Sequence, residues 1–133
     1  MPTKLQLSTF RIGTPPQSGQ GLRVGASRRP PRGVPKDRWA ADGYFDVWVP
    51  ALAPSTKLVA EIRKKQHGPG AAFQKALDKY ERELLSNAES RQTVEFVAKV
   101  AARMPIAIGC FCEDESRCHR SRLYKILQEH APR

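Results

Sequence analysis

The chain has 133 residues, 40% hydrophobic and 27% charged, with a formal charge of +10 and three cysteines. That length holds one hydrophobic core and one domain, and leaves little room for a second. No apolar run approaches the roughly 20 residues of a membrane span, and the opening MPTKLQLSTF lacks the apolar centre of a secretory signal. An odd number of cysteines packed into one short stretch is a poor disulfide framework, so a cytoplasmic protein with reduced thiols and no membrane partner is expected.

Charge is unevenly spread. Residues 1–38 carry eight Lys or Arg against the single acid Asp37. Such asymmetry favours an anionic partner, whether nucleic acid, nucleotide or another phosphate. A basic surface kept for solubility would have the same composition, so charge alone marks no site.

In chain order, Lys4 to Ile12 alternates apolar and polar residues and predicts a short strand. Residues 13–21, GTPPQSGQG, form a loop by composition. Leu22 to Ser27 predicts a second strand running into SRRPPRGVPKDRW, where proline and glycine forbid a helix interior, so 28–43 is an arginine-rich extended loop. Tyr44 to Leu52 suits a third strand or extended segment, although Pro50 argues against a central strand there. Ser55 or Thr56 caps a helix reaching about Gln66, with Leu58, Val59 and Ile62 inward. Ala71 to Leu85 is a helix with Phe73, Leu77, Tyr80 and Leu84 on one face. Ser86-x-x-Glu89 reads as a capping box opening a third helix, with Thr93, Phe96, Val97, Val100, Ala101 and Met104 on its inner face. Pro105 to Cys112 has no charge and suits a strand buried on both faces of a parallel sheet. A polar turn follows, then a helix with Leu123, Ile126 and Leu127 inward. The sum is a small α/β domain spanning 1–133, with four helices and three layers around a sheet of three or four strands.

The turn after the last strand stands at its carboxyl end, where open α/β sheets place ligands. Cys110 shares a strand face with Ile106 and Ile108 and reads as core. Cys112 and Glu113 stand where the strand emerges. With Ser116 as cap, Arg117, His119, Arg120 and Arg122 crowd the first two turns of the helix, which disfavour cations. A bound anion held by free amides and arginines would resolve this; local balance by Glu113, Asp114 and Glu115 would also do so. Cys118 at a helix start beside arginines has a stabilised thiolate and is a candidate nucleophile, with His119 as acid or base. Cys110, Cys112, Cys118 and His119 also add up to four metal ligands. Helical neighbours diverge by about 100°, so Cys118 and His119 are not expected to reach one ion, and neither metal nor cofactor is predicted. Far upstream, Arg28 and Arg32 could cradle a phosphate, with Gly33 allowing close backbone approach. Trp39, Tyr44 and Trp48 could stack on bases or fill the core.

Four stretches together resemble the family known as domain of unknown function 488, widespread in bacteria. They are RVGASRRPPRG at Arg23 to Gly33, ALAPST at Ala51 to Thr56, the F-x3-L-x2-Y-x2-EL pattern at Phe73 to Leu84, and CHRS at Cys118 to Ser121. The resemblance implies a Rossmann-like parallel sheet. It points to Arg28, Pro31, Arg32 and Gly33 in one motif and to Cys112, Glu113, Cys118, His119 and Arg120 in another, and supplies no reaction. The function expected is therefore a pocket for phosphate, nucleotide or nucleic acid, built from the Arg28/Arg32 loop and the Cys118–Arg120 helix start, with or without a cysteine nucleophile. A non-enzymatic nucleic-acid-binding module and a structural-metal or redox protein are the alternatives.

Overall fold

The computed structural model describes residues 4–132. Strands β1 (Leu7–Arg11), β2 (Leu22–Gly25), β3 (Val47–Trp48) and β4 (Ile106–Cys110) form one sheet in the order β1-β4-β2-β3. Every pairing is parallel. β4 lies between β1 and β2 and is buried along its whole length, the environment its charge-free sequence requires. Four helices complete the fold: α1 (Thr56–Lys65), α2 (Gly70–Ser86), α3 (Ala88–Ala101) and α4 (His119–Glu129). The small α/β architecture expected from the sequence is the one observed.

All four helices share one apolar core. Leu58 and Ile62, Phe73 and Leu77, Val94 and Val97, and Leu123, Ile126 and Leu127 pack with Val24, Ile106 and Ile108 of the sheet. The two-residue period of the strands sends Ala107 to the opposite face. There a second cluster of Phe10, Ile12, Trp39 and Phe45 covers the sheet, so this outer layer is an irregular segment and not a helix. A side chain at Gly109 or Gly25 would collide with the rings of Phe10 or Phe45 respectively, which is why both positions are glycine. Arg23, buried on β2, ties the layer down. Its guanidinium stacks 4.0 Å from the Phe10 ring centroid and donates to the carbonyls of Thr14 at 2.7 Å and Gly43 at 3.3 Å. One of the cations that make the first third so basic is thus a structural crosslink.

Three local expectations shift. Only Val47–Trp48 of the third predicted strand pairs with the sheet, and a 3-10 turn begins at Pro50, which has no N–H for a ladder. The cap of α3 is Asn87, whose side chain accepts from the Ser90 N–H at 3.0 Å, whereas Ser86 ends α2 and donates to the Glu83 carbonyl. The buried stripe of α3 is Val94, Val97, Ala98 and Ala101, and Phe96 is 68% exposed. That stripe packs against α2 and α4.

Candidate functional site

β2 and β4 end side by side, and the chain leaves both at the carboxyl edge of the sheet. A cleft of about 970 Å³ opens there. The loop after β2 lines it with Arg28, Arg29 and Arg32, α1 with Arg63 and its C-cap with Gln66, and the β4–α4 turn with Cys112, Glu113 and Arg117. Cys110 and His119 also reach it. Two segments some 80 residues apart, both singled out in the sequence, therefore share one cavity. Its lining holds five arginines against the carboxylates of Glu113 and Asp114. Among the described residues, none of the five pairs with a carboxylate.

The predicted anion ligands are not placed alike. Arg28 is half-buried and donates to the Pro50 carbonyl at 2.8 Å, which holds its side chain in position. Arg32 is exposed. Gly33 lies outside the lining, and with φ +74° it turns the chain after Arg32. Tyr44 lines the cleft, while Trp39 belongs to the outer core cluster. Arg120 does not line the cleft. It is buried, and its Nη1 donates to the carbonyl of Cys112 at 2.7 Å and more loosely to that of Cys110 at 3.5 Å.

The turn explains why. Asp114 Oδ1 accepts from the N–H and O–H of Ser116, at 3.0 and 2.7 Å, and this starts a 3-10 turn over Glu115–Arg117. The same hydrogen bonds hold the Asp114 carboxyl below the usual range. The cap of α4 is consequently Cys118, in extended backbone, and not Ser116. The cations around the start of α4 have separate partners within the protein. Arg117 donates to the Gly68 carbonyl at 3.2 Å, and Arg122 reaches Asp78 at 2.8 Å and Glu81 at 3.1 Å on α2. Among the described residues, only Arg122 of these cations is paired with carboxylates; Arg117 and Arg120 donate to main-chain carbonyls and keep their charge.

Because Cys118 is extended and not helical, the divergence of helical neighbours does not keep it from His119. The Sγ atoms of Cys110, Cys112 and Cys118 all lie within 4.8 Å of one another, with Cys110 and Cys112 3.8 Å apart. His119 Nδ1 stands 3.8 Å from Cys110 Sγ and 3.9 Å from Cys118 Sγ. Its Nε2 is 2.7 Å from the Ala26 carbonyl. A carbonyl only accepts, so Nε2 carries the proton and Nδ1 turns its lone pair to the sulfurs. Burial lowers the histidine pKa and keeps the ring neutral. Among the thiols, contact first with Cys112 and then with Cys118 lowers the Cys110 pKa, against its burial. The same contacts with Cys110 push Cys112 and Cys118 up.

Exposure divides the cysteines further. Cys118 is fully buried and absent from the cleft lining, whereas Cys112 is half-exposed on it. Gln66 Nε2 donates to Cys112 Sγ at 3.3 Å and to the Arg117 carbonyl at 2.9 Å, joining α1 to the turn. Cys110, read from the sequence as core alone, is core by burial and a member of the thiol cluster by contact. Arg63 and Gln66 were not singled out. Their spacing with Val59 places all three on one helix face, but nothing local says that this face borders a cleft.

These features define a class: a small parallel-sheet α/β domain whose carboxyl edge carries an arginine-lined cleft beside three thiols and a neutral histidine. A family model described as the active DUF488-N3 subclade matches residues 7–131, and the chain belongs to that family, within domain of unknown function 488. No curated protein and no solved structure matches the chain.

Proposed function

We propose that the cleft binds an anionic ligand through phosphate, as a nucleotide or as the backbone of a nucleic acid. The observation that carries this reading is the set of five arginines, none in an ion pair with a carboxylate among the described residues, around a cavity at the carboxyl edge of a parallel sheet. Guanidinium groups match phosphate with paired N–H donors. Arg28 and Arg32 keep the ligand-binding role expected of them, joined by Arg63 and Arg117. Arg120 acts from beneath by holding the carbonyls that shape the turn. Where the cleft performs chemistry, Cys112 is the thiol that meets the ligand; Cys118 is sealed behind it and His119 is nearly so. The description of the matching subclade as active supports a cleft with chemistry over a passive one.

Calorimetric titration with inorganic phosphate, a nucleoside triphosphate and short single-stranded RNA and DNA tests the reading. The expected result is binding of at least one of them, weakened about tenfold or more by Arg32→Ala, the loss of one charge-assisted contact of about 1.5–3 kcal/mol. Steep weakening with salt for the oligonucleotide selects nucleic acid over free nucleotide. Absence of binding to every probe, or unchanged affinity in Arg32→Ala, overturns it.

A further inference from the structure

We infer that Cys110, Cys112, Cys118 and His119 form a metal centre for a thiophilic divalent cation, zinc above others, at the inner end of the cleft. This inference stands apart from the anion reading and needs no ligand in the cavity.

Distance is the first argument. Tetrahedral zinc, with Zn–S near 2.3 Å and Zn–N near 2.0–2.1 Å, sets sulfurs about 3.8 Å apart and nitrogen about 3.6 Å from each sulfur. Cys110 and Cys112 Sγ are 3.8 Å apart, and His119 Nδ1 is 3.8 and 3.9 Å from Cys110 and Cys118 Sγ. All three sulfurs lie within 4.8 Å of one another, and His119 Nδ1 approaches the set from the side of Cys110 and Cys118.

The surroundings supply a second, independent argument. A metal-binding histidine commonly donates its far N–H to a carbonyl, which fixes ring and tautomer. His119 does this with Ala26. Gln66 donates to Cys112 Sγ, and Arg120 Nη1 lies 3.7 Å from Cys118 Sγ. Three thiolates and a neutral imidazole around a doubly charged ion leave one net negative charge. The buried Arg120 guanidinium, which pairs with no carboxylate among the described residues, offsets it. Thiolate donors favour zinc over magnesium or calcium, which take oxygen. Cys112 opens to the cleft, which gives the ion its route in.

The full chain, purified reduced and without chelator, is analysed for metal content, then freed of metal and titrated with cobalt. One zinc per chain is expected. Cobalt should give the visible bands of a tetrahedral site and a near-ultraviolet sulfur-to-cobalt transition. Cys112→Ser, at the most exposed of the three thiols, should lower that transition by about a third, one thiolate of three. His119→Gln should shift the visible bands and weaken cobalt binding at least tenfold. If either variant fails to fold, cadmium NMR of the wild-type chain counts the sulfur donors directly. Substoichiometric zinc together with no sulfur-to-cobalt transition, or a cadmium signal typical of all-oxygen coordination, overturns the centre. Unchanged visible bands in folded His119→Gln overturn the four-ligand assignment.

Discussion

Arg120 is a cation whose partners are main-chain carbonyls and a sulfur. Removing it leaves the carbonyls of Cys110 and Cys112 with one donor fewer in a buried place. Arg120→Ala should therefore destabilise the chain by about 1.5–3 kcal/mol, the range for hydrogen bonds to a charged donor. Arg120→Lys should recover only part of this, because an ammonium lacks the planar fork of the guanidinium. Urea denaturation measures both, and a loss under about 0.5 kcal/mol for alanine, the level of an ordinary surface change, would show that the turn holds without the arginine. Single residues were only partly legible beforehand. The sequence marks Cys112, Cys118, His119 and Arg120 as neighbours in a turn, yet which thiol is sealed and which faces solvent depends on extended backbone at Cys118, and the cap given to Ser116 hides that geometry.

Helices α1, α2 and α4 were legible because amphipathic spacing is local and survives any tertiary arrangement. Their terminal residues were less so. Asn87, not Ser86, caps α3, and Asn87→Ala should cost about 1 kcal/mol in stability. Ser86→Ala, which removes only a hydroxyl donated to the Glu83 carbonyl on the exposed end of α2, should be nearly neutral. Equal losses in thermal or urea unfolding would contradict the assigned boundary. The inner face of α3 was legible in part: Val97 and Ala101 are buried as expected, whereas Phe96 is not. Phe96 is more hydrophobic than Ala98, but packing against two other helices selects the small residue and leaves the ring outside.

Across the whole molecule, stability is tied to pH by the contact between α1 and α2. Glu61 on α1 accepts from Lys79 on α2 at 2.7 Å and from Lys65 at 2.9 Å. Lys79 first and then Lys65 hold its carboxyl at about 2, below the usual 4.5. A carboxylate depressed by folding contributes stability that is fully present above the unfolded value and is lost as pH falls toward the folded one. Glu61→Gln should flatten the stability curve between pH 4.5 and about 2 and leave its shape near neutrality unchanged. Urea midpoints across that window check it, and raised salt should mimic the variant because the pair is open to solvent. An acid limb as steep in the variant as in the wild type would refute the role. The order of strands and helices, the buried central strand, the Arg28–Gly33 loop and the cysteine-rich turn follow from the sequence by itself, since alternation, helical period and proline act over a few residues. Only the tertiary structure brings Arg28 and Arg32 to the same cleft as Arg63, Arg117 and Cys112, and gathers three sulfurs around His119. Those meetings depend on which strand ends lie side by side and on one extended residue before α4, and both are set by packing between segments far apart in the chain.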